Sequence, residues 1–150
     1  INSPDIFIGK YDLDGNFVWG KIISGNSQEF LSEIFATNDG VFVTGRSNSL
    51  TIYFDNDDIN DTNKQINIIG YKDTYIAKYD FNGNFIWAKT ISGDQGNTGF
   101  GIFAINNGVF VTGYSNSLTI YFDNDDTNDL QKQINNFSTN DDAFIAKYLC

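Results

Sequence analysis

Residues 11–21 read YDLDGNFVWGK, and residues 79–89 repeat this stretch as YDFNGNFIWAK. In each copy an Asp-Gly or Asn-Gly dipeptide lies between runs that are rich in aromatic and β-branched residues. Such dipeptides accept the positive φ angles of a tight turn, and the flanking residues favour strands. The stretch therefore predicts a β-hairpin that the chain forms twice.

The hairpin belongs to a longer internal repeat. Residues 5–67 align with residues 73–135 at a constant offset of 68, with 41 identities over 63 positions and no gap. A further copy begins at Asp142, where DAFIAKY repeats the DTYIAKY of residues 73–79. The sequence thus predicts three units: repeat 1 at about 5–72, repeat 2 at about 73–141, and the start of a third at 142–150.

Each repeat carries signals for four strands, which we name types A to D. In the second repeat these are GIFAI (type A, 101–105), VFVTG (type B, 109–113), DTYIAKYD (type C, 73–80) and NFIWAKT (type D, 84–90). LTIYFD at 118–123 predicts a short strand in the B-to-C connection, and no segment has the period of an amphipathic helix. We expect an all-β chain of two four-stranded antiparallel blades with this added segment, plus an extra C-terminal strand.

Several of these strands are apolar on both faces, so their sheet must be covered twice. Radial repetition of such sheets is typical of a β-propeller, whereas solenoids use shorter repeats and immunoglobulin-like arrays longer ones. A propeller needs about four to eight blades. Two repeats and a strand therefore predict part of a larger assembly, and the absence of methionine, even at position 1, favours a piece of a longer product.

The succession DAFIAKY, GNFIWAKTISG, GIFAINNGVFVTGYS and LTIYF resembles the bacterial SBBP repeat. This β-propeller repeat of cell-surface and secreted proteins pairs an Asp-x-Phe-hydrophobic-Ala-Lys strand with a Gly-Asn turn and a Val-Thr-Gly strand. The likeness covers nearly the whole chain. One departure is that repeat 1 reads SQEFLSEIF where repeat 2 reads QGNTGFGIF. The resemblance implies an extracellular or cell-surface location and a role in display rather than chemistry.

Composition excludes several classes of function. A hydrophobic content of 41% is typical of a folded protein, and a net charge of −10 disfavours nucleic acid and anionic membranes as partners. No apolar run is long enough to predict insertion into a membrane. The chain has no histidine, which removes the commonest catalytic base and metal ligand, and its one cysteine, Cys150, has no partner within the chain.

The B-to-C and D-to-A connections should share one face, because the strands alternate in direction, and we expect both connections to be long. The B-to-C connection contains the identical run SNSLTIYFDNDD at 47–58 and 115–126, whereas D-to-A differs at all eight positions of 26–33 against 94–101. A uniform loop favours a structural role, and a diversified loop favours contacts specific to one blade.

Clustered carboxylates in the B-to-C connections are candidate calcium ligands. They are Asp55, Asp57, Asp58 and Asp61, and their counterparts Asp123, Asp125, Asp126 and Asp129. Their oxygens suit calcium, but the spacing lacks the glycine and glutamate of an EF-hand. The alternative is that Asp and Asn form and solvate turns. No cofactor is required by this interpretation, and calcium is the one candidate.

Aromatic residues suggest a second kind of site. Tyr53, Tyr71, Tyr114 and Tyr121 lie in or beside the long connections, where a sugar can stack on an exposed ring, whereas Trp19 and Trp87 are expected to pack between blades. Recurring lysines, among them Lys21 and Lys89, are interpreted as protection of sheet edges. Carboxylate pairs also allow a glycoside hydrolase, but no acid differs from its repeat mate as a catalytic residue should.

Taken together, these patterns predict a non-enzymatic binding or scaffold module, located outside the cell or on its surface. Its partners are expected to be copies of itself, as a ring or a filament, or further blades of a longer chain, together with a glycan or protein ligand. The alternatives are a glycan-binding lectin and, with less support, a glycoside hydrolase.

Overall fold

The computed structural model describes residues 5–55, 60–105, 107–123, 130–136 and 140–149. Within these ranges the chain forms strands joined by turns, with two short 3₁₀ turns at Thr62–Lys64 and Leu130–Lys132. No helical segment of the described residues is long and apolar enough to span a membrane. The strands are β1 Ile6–Tyr11, β2 Phe17–Gly25, β3 Glu29–Thr37, β4 Gly40–Ser47, β5 Thr51–Tyr53, β6 Gln65–Asn67, β7 Asp73–Tyr79, β8 Phe85–Gly93, β9 Asn97–Ile105, β10 Gly108–Ser115, β11 Thr119–Tyr121, β12 Gln133–Asn135 and β13 Asp142–Tyr148.

The strands form three antiparallel sheets, which confirms the all-β prediction. Sheet 1 has the order β1-β2-β5-β6, sheet 2 the order β12-β11-β8-β7-β4-β3, and sheet 3 the order β13-β10-β9. Strand types A, B, C and D are neighbours in sheet 2, as expected. The count of two four-stranded blades and one extra strand is not confirmed, because a six-stranded sheet lies between a four-stranded and a three-stranded one.

The sheets are out of phase with the sequence repeats. Each repeat begins with types C and D, but type B of one repeat pairs with type C of the next, as β4 pairs with β7. The sheets therefore cross the boundaries at about residues 72 and 141, and the division into 5–72, 73–141 and 142–150 stays a description of the sequence.

The B-to-C connections are excursions to the preceding sheet. After β4 the chain leaves sheet 2 and forms the hairpin β5–β6, in which β5 pairs with β2 of sheet 1. It then returns to sheet 2 as β7. The connection between β10 and β13 repeats this path, because β11 pairs with β8 of sheet 2. The short strand was predicted, but its pairing partner and the strands β6 and β12 were not.

The D-to-A connection is short, contrary to expectation. Only residues 26–28 separate β2 from β3, and only residues 94–96 separate β8 from β9. Most of the diversified positions therefore lie within the first residues of strands rather than in a loop. This short link also carries the chain from one sheet to the next, since β2 belongs to sheet 1 and β3 to sheet 2.

Sheet 2 buries apolar side chains on both of its faces. Val41, Val43, Tyr75 and Tyr79 join a core cluster with residues of sheet 1, whereas Phe42 and Ile76, which alternate with them, join a cluster with sheet 3. Successive side chains of a strand point to opposite faces, which explains the division. The predicted covering of a two-sided apolar sheet is confirmed.

Phe54 connects the excursion to both neighbouring sheets. It follows β5 of sheet 1, and its fully buried ring lies 5.3 Å from that of Phe85 and 6.1 Å from that of Tyr75, both in sheet 2. The Tyr79 hydroxyl donates a hydrogen bond of 2.7 Å to the Phe54 carbonyl. A single residue therefore couples strand pairing in one sheet to packing on the next.

Trp19 makes a second contact between the sheets. Its indole Nε1 donates a 3.0 Å hydrogen bond to the carbonyl of Phe81, in the turn between β7 and β8. The ring lies against Gly83, where a Cβ atom would approach Trp19 to 2.8 Å. Gly83 has a φ of 84°, as does Gly15 in the equivalent turn of sheet 1, where a Cβ would meet open space. The predicted packing of Trp19 between sheets is confirmed.

This pair of glycines gives a test of the Trp19 contact. Gly15→Ala and Gly83→Ala should each cost about 1–2 kcal/mol of unfolding free energy, because an L-residue is strained at this φ. Gly83→Ala should cost a further ~1–3 kcal/mol, because its methyl group overlaps the indole. Urea unfolding of the two variants measures the difference. Equal losses of unfolding free energy in the two variants would show that Gly83 is not in tight contact with the Trp19 ring.

Candidate interaction surfaces

The outer face of sheet 1 is apolar and exposed. Phe7 is 83% exposed, whereas Tyr75, its equivalent one repeat later, is 0% exposed against sheet 1. A groove of about 430 Å³ runs along this face, and we name it the aromatic groove. It is lined by Phe7, Ile8, Gly9, Tyr11, Phe17, Gly20, Lys21 and Ile22.

The outer face of sheet 3 is the complementary surface. Ile145 is 76% exposed, whereas its equivalent Ile76 is fully buried against sheet 3. Phe110 is half-buried where its equivalent Phe42 is 1% exposed. Among the described strands, sheet 3 also has no type D strand beside β13. A cavity of about 490 Å³ follows this edge of β13, lined in part by Ile134 and Tyr148.

The two outer faces are therefore of opposite kinds. The outer face of sheet 1 corresponds to the face of sheet 2 that packs against sheet 1. The outer face of sheet 3 corresponds to the face of sheet 2 that packs against sheet 3. Contacts between sheets 1 and 2, and between sheets 2 and 3, show how such faces fit. Exposed apolar faces of this extent mark interaction surfaces in soluble proteins.

Ion pairs hold each excursion on the sheet that it extends. The Asp55 carboxylate contacts the ammonium groups of Lys21 in β2 and Lys64, each at 3.2 Å. Burial raises the pKa of Asp55, but the hydrogen bonds and charges of both lysines outweigh it and leave the pKa below its ordinary value. Asp123 repeats the arrangement with Lys89 at 3.1 Å and Lys132 at 3.7 Å. Lys21 and Lys89 thus bind carboxylates rather than serving only to protect an edge.

These contacts bear on the candidate calcium ligands. Asp55 and Asp123 already have lysine partners, and Asp61 accepts a hydrogen bond from the backbone N–H of Asn63 as the cap of a 3₁₀ turn. The other candidates, Asp57, Asp58, Asp125, Asp126 and Asp129, lie outside the described residues. Within the described ranges no group of three or more acidic or cysteine side chains is arranged to hold a metal ion. Calcium binding stays a prediction.

The four candidate tyrosines lie in two kinds of place. Tyr53 and Tyr121 are half-buried on the excursion strands β5 and β11. Tyr71 is exposed in the bend before β7, and Tyr114, on β10, has its ring 5.3 Å from Phe100. The ammonium group of Lys72 lies 5.8 Å from the centre of the Tyr114 ring. Lys72, the residue that follows Tyr71 in the chain, therefore contacts Tyr114, whereas Tyr53 and Tyr121 lie on the excursion strands.

Sequence reasoning missed a buried polar cluster at the junction of sheets 2 and 3. Asp73 is fully buried at the start of β7, where it accepts hydrogen bonds from the Gly70 N–H at 3.0 Å and the Asn97 side chain at 3.1 Å. Desolvation raises the pKa of Asp73 to about 6, and these hydrogen bonds oppose the rise.

The equivalent of Asn97 in the first repeat is Glu29. Burial raises the pKa of Glu29, and its carboxylate accepts hydrogen bonds from the hydroxyl groups of Ser47 and Ser49. The sequence signal that could have pointed to this cluster is the difference between Glu29 in the first repeat and Asn97 in the second.

The raised pKa of Asp73 predicts a pH dependence of stability. Between its ordinary value of 3.8 and about 6, the folded chain binds more protons at this residue than the unfolded chain. The unfolding free energy should therefore fall as the pH rises through this window, by up to about 1.4 kcal/mol per pH unit. Urea unfolding of the wild type and of Asp73→Asn isolates this slope as their difference. A constant difference from pH 4 to pH 7 would contradict the prediction.

Comparison with known proteins supports the repeated architecture. No family model matches the chain, so the SBBP resemblance gains no support of that kind. The chain is similar to an uncharacterized WD repeat-containing protein of Acanthamoeba polyphaga mimivirus, with 29% identity over 146 residues, which covers 83% of this chain. It spans 10% of the length of that relative. The likeness to a WD repeat protein and the all-β structure both indicate a chain built of β repeats.

Proposed function

We propose that the chain is a non-catalytic scaffold or binding module built of consecutive β-propeller blades. In this proposal sheet 2 is one complete blade, and sheets 1 and 3 are partial blades that further repeats complete. The observation that carries the proposal is that each outer face repeats a face that is buried inside the molecule. The small share of the WD repeat relative that the chain matches is consistent with a unit from a longer array.

The partner on each face is a further repeat, supplied by a longer chain or by another copy of this one. Because the two faces differ, copies would associate head to tail rather than as a symmetric pair, and such contacts close as a ring or grow as a filament. We place the module outside the cell or on its surface, on the basis of the sequence resemblance and the negative charge. No nucleic acid and no membrane insertion enters this function.

Head-to-tail docking can be tested with one variant for each face. Phe7→Asp and Ile145→Asp each place a charge on an apolar surface that docking would bury, so each variant alone should be monomeric where the wild type forms larger species. A mixture of the two should form a one-to-one heterodimer, because each partner keeps one intact face. Native mass spectrometry measures all three results.

Leu50→Asp serves as the control, since Leu50 is exposed in the bend before β5 and lines neither the aromatic groove nor the cavity along β13. Its replacement should leave assembly unchanged. A wild-type chain that is monomeric from micromolar to millimolar concentration would refute docking between copies. Assembly that persists in either single variant would also contradict the head-to-tail arrangement.

Glycan binding is the second candidate, favoured by one surface. Tyr71 is exposed and precedes Lys72, whose ammonium group lies over the Tyr114 ring, and that ring packs with Phe100. Two residues after Tyr114, the Asn116 side chain donates a hydrogen bond to Asp141. Aromatic rings next to amide and carboxylate groups suit a sugar. A glycan array should then detect binding that Tyr71→Ala weakens at least about fivefold, while Tyr53→Ala leaves it unchanged. Equal losses in both variants would argue against a site at Tyr71.

A further inference from the structure

The aromatic groove of sheet 1 has two counterparts inside the molecule, and both are filled. On sheet 2 the equivalent surface is filled by Phe54, and on sheet 3 it is filled by Phe122, which packs with Phe144 and Tyr148. Both residues belong to the same five-residue sequence, Thr-Ile-Tyr-Phe-Asp, at 51–55 and 119–123. We name it the TIYFD segment.

The TIYFD segment is held in the same way at both places. The Tyr79 hydroxyl donates to the Phe54 carbonyl, and the Tyr148 hydroxyl donates to the Phe122 carbonyl. The phenylalanine ring packs against the aromatic side chains of the type C strand, and the following aspartate pairs with a lysine of the preceding sheet. The segment is therefore fitted to two surfaces at once, which accounts for its identity in the two repeats.

The empty groove has the geometry of a filled one. Tyr11 and Phe17 stand where Tyr79 and Phe85 stand one repeat later. Their ring centres are 5.8 Å apart with planes at 75°, and those of Tyr79 and Phe85 are 6.0 Å apart with planes at 75°. The rings of the groove thus keep this arrangement without an occupant, so an incoming segment would not have to order them.

Two residues of the empty groove are smaller than their equivalents on sheet 2. Gly9 and Gly20 replace Ala77 and Ala88, and both alanines pack in the cluster that contains Phe54. A Cβ atom on Gly9 would meet only the Tyr11 ring, at 3.5 Å, so this wall leaves space for an added side chain. The groove therefore has room for a phenylalanine ring in the position that Phe54 takes on sheet 2.

We propose that the aromatic groove binds a TIYFD segment supplied by another repeat. Its phenylalanine ring enters between Phe7 and Phe17, and its carbonyl oxygen accepts a hydrogen bond from the Tyr11 hydroxyl. Both segments of this chain already fill grooves on sheets 2 and 3, so the occupant comes from a further repeat or another molecule. This inference rests on the proposed function and names the element that completes the contact.

A synthetic peptide tests the inference without assembly of whole chains. The probe is fluorescein-labelled SNSLTIYFD, the sequence of residues 47–55, and fluorescence anisotropy measures its binding to the intact chain. The matched control peptide, SNSLTIYAD, has alanine in place of the phenylalanine. Loss of a buried phenylalanine ring should weaken binding at least about tenfold.

Variants of the chain locate the binding site. Gly9→Leu should reduce peptide affinity at least about tenfold by filling the groove, whereas Gly9→Ala, which reproduces Ala77, should keep it. Tyr11→Phe should reduce it severalfold, because the hydroxyl donor is lost. Ile145→Asp, on the opposite outer face, should leave it unchanged. Thermal unfolding confirms that each variant is folded before its binding is compared.

The result separates this inference from the docking of copies. A chain that stays monomeric but binds the peptide with the expected dependence on phenylalanine and Gly9 supports the inference and refutes self-docking. The Ile145→Asp chain cannot dock and keeps its groove open, so its failure to bind the peptide overturns the inference and leaves docking of the wild-type chain intact. Equal affinity for the two peptides, or full affinity in Gly9→Leu, also overturns it.

Discussion

Because β4 and β7 carry apolar side chains on both faces, sheet 2 is stable in water only when a sheet covers each face. Val43 and Tyr75 face sheet 1, and Phe42 and Ile76 face sheet 3. The same strand types recur in the covering sheets, so each of these also has two apolar faces. The outer faces of sheets 1 and 3 therefore also need a covering sheet, and at these faces Phe7 and Ile145 are exposed.

The excursions join the sheets more tightly than face-to-face packing alone. A chain segment that starts and ends in sheet 2 adds two strands to sheet 1, inserts Phe54 between the sheets and pairs Asp55 with Lys21. Separation of the two sheets would break strand pairing, ring packing and a half-buried ion pair together. Neighbouring units of this kind depend on one another for stability, as in repeat proteins generally.

Near-identical repeats also differ where local packing differs. Position 29 is a glutamate and its equivalent 97 is an asparagine, each held by serine hydroxyl groups near the start of a strand. Asp73 is buried beside Asn97 and accepts its hydrogen bond, so this carboxylate is satisfied although it is removed from water. The diversified residues therefore adjust the junction between sheets instead of forming a long recognition loop.

Much of the fold was predictable from local residue patterns. Turn dipeptides such as Asn82-Gly83 and alternating apolar residues depend only on neighbours in the chain, and they located the four strand types, their order and the need for two-sided cover. The pairing of β5 with β2, the role of Phe54 and the three-residue D-to-A turns were decided by the tertiary structure.

Identical runs such as TIYFD show that a segment is constrained. Only the folded chain brings together the two surfaces, from different repeats, that constrain it. The partnership of Asp55 with Lys21 was hidden for the same reason, since 34 residues separate them and their contact exists only after the excursion has crossed to the preceding sheet.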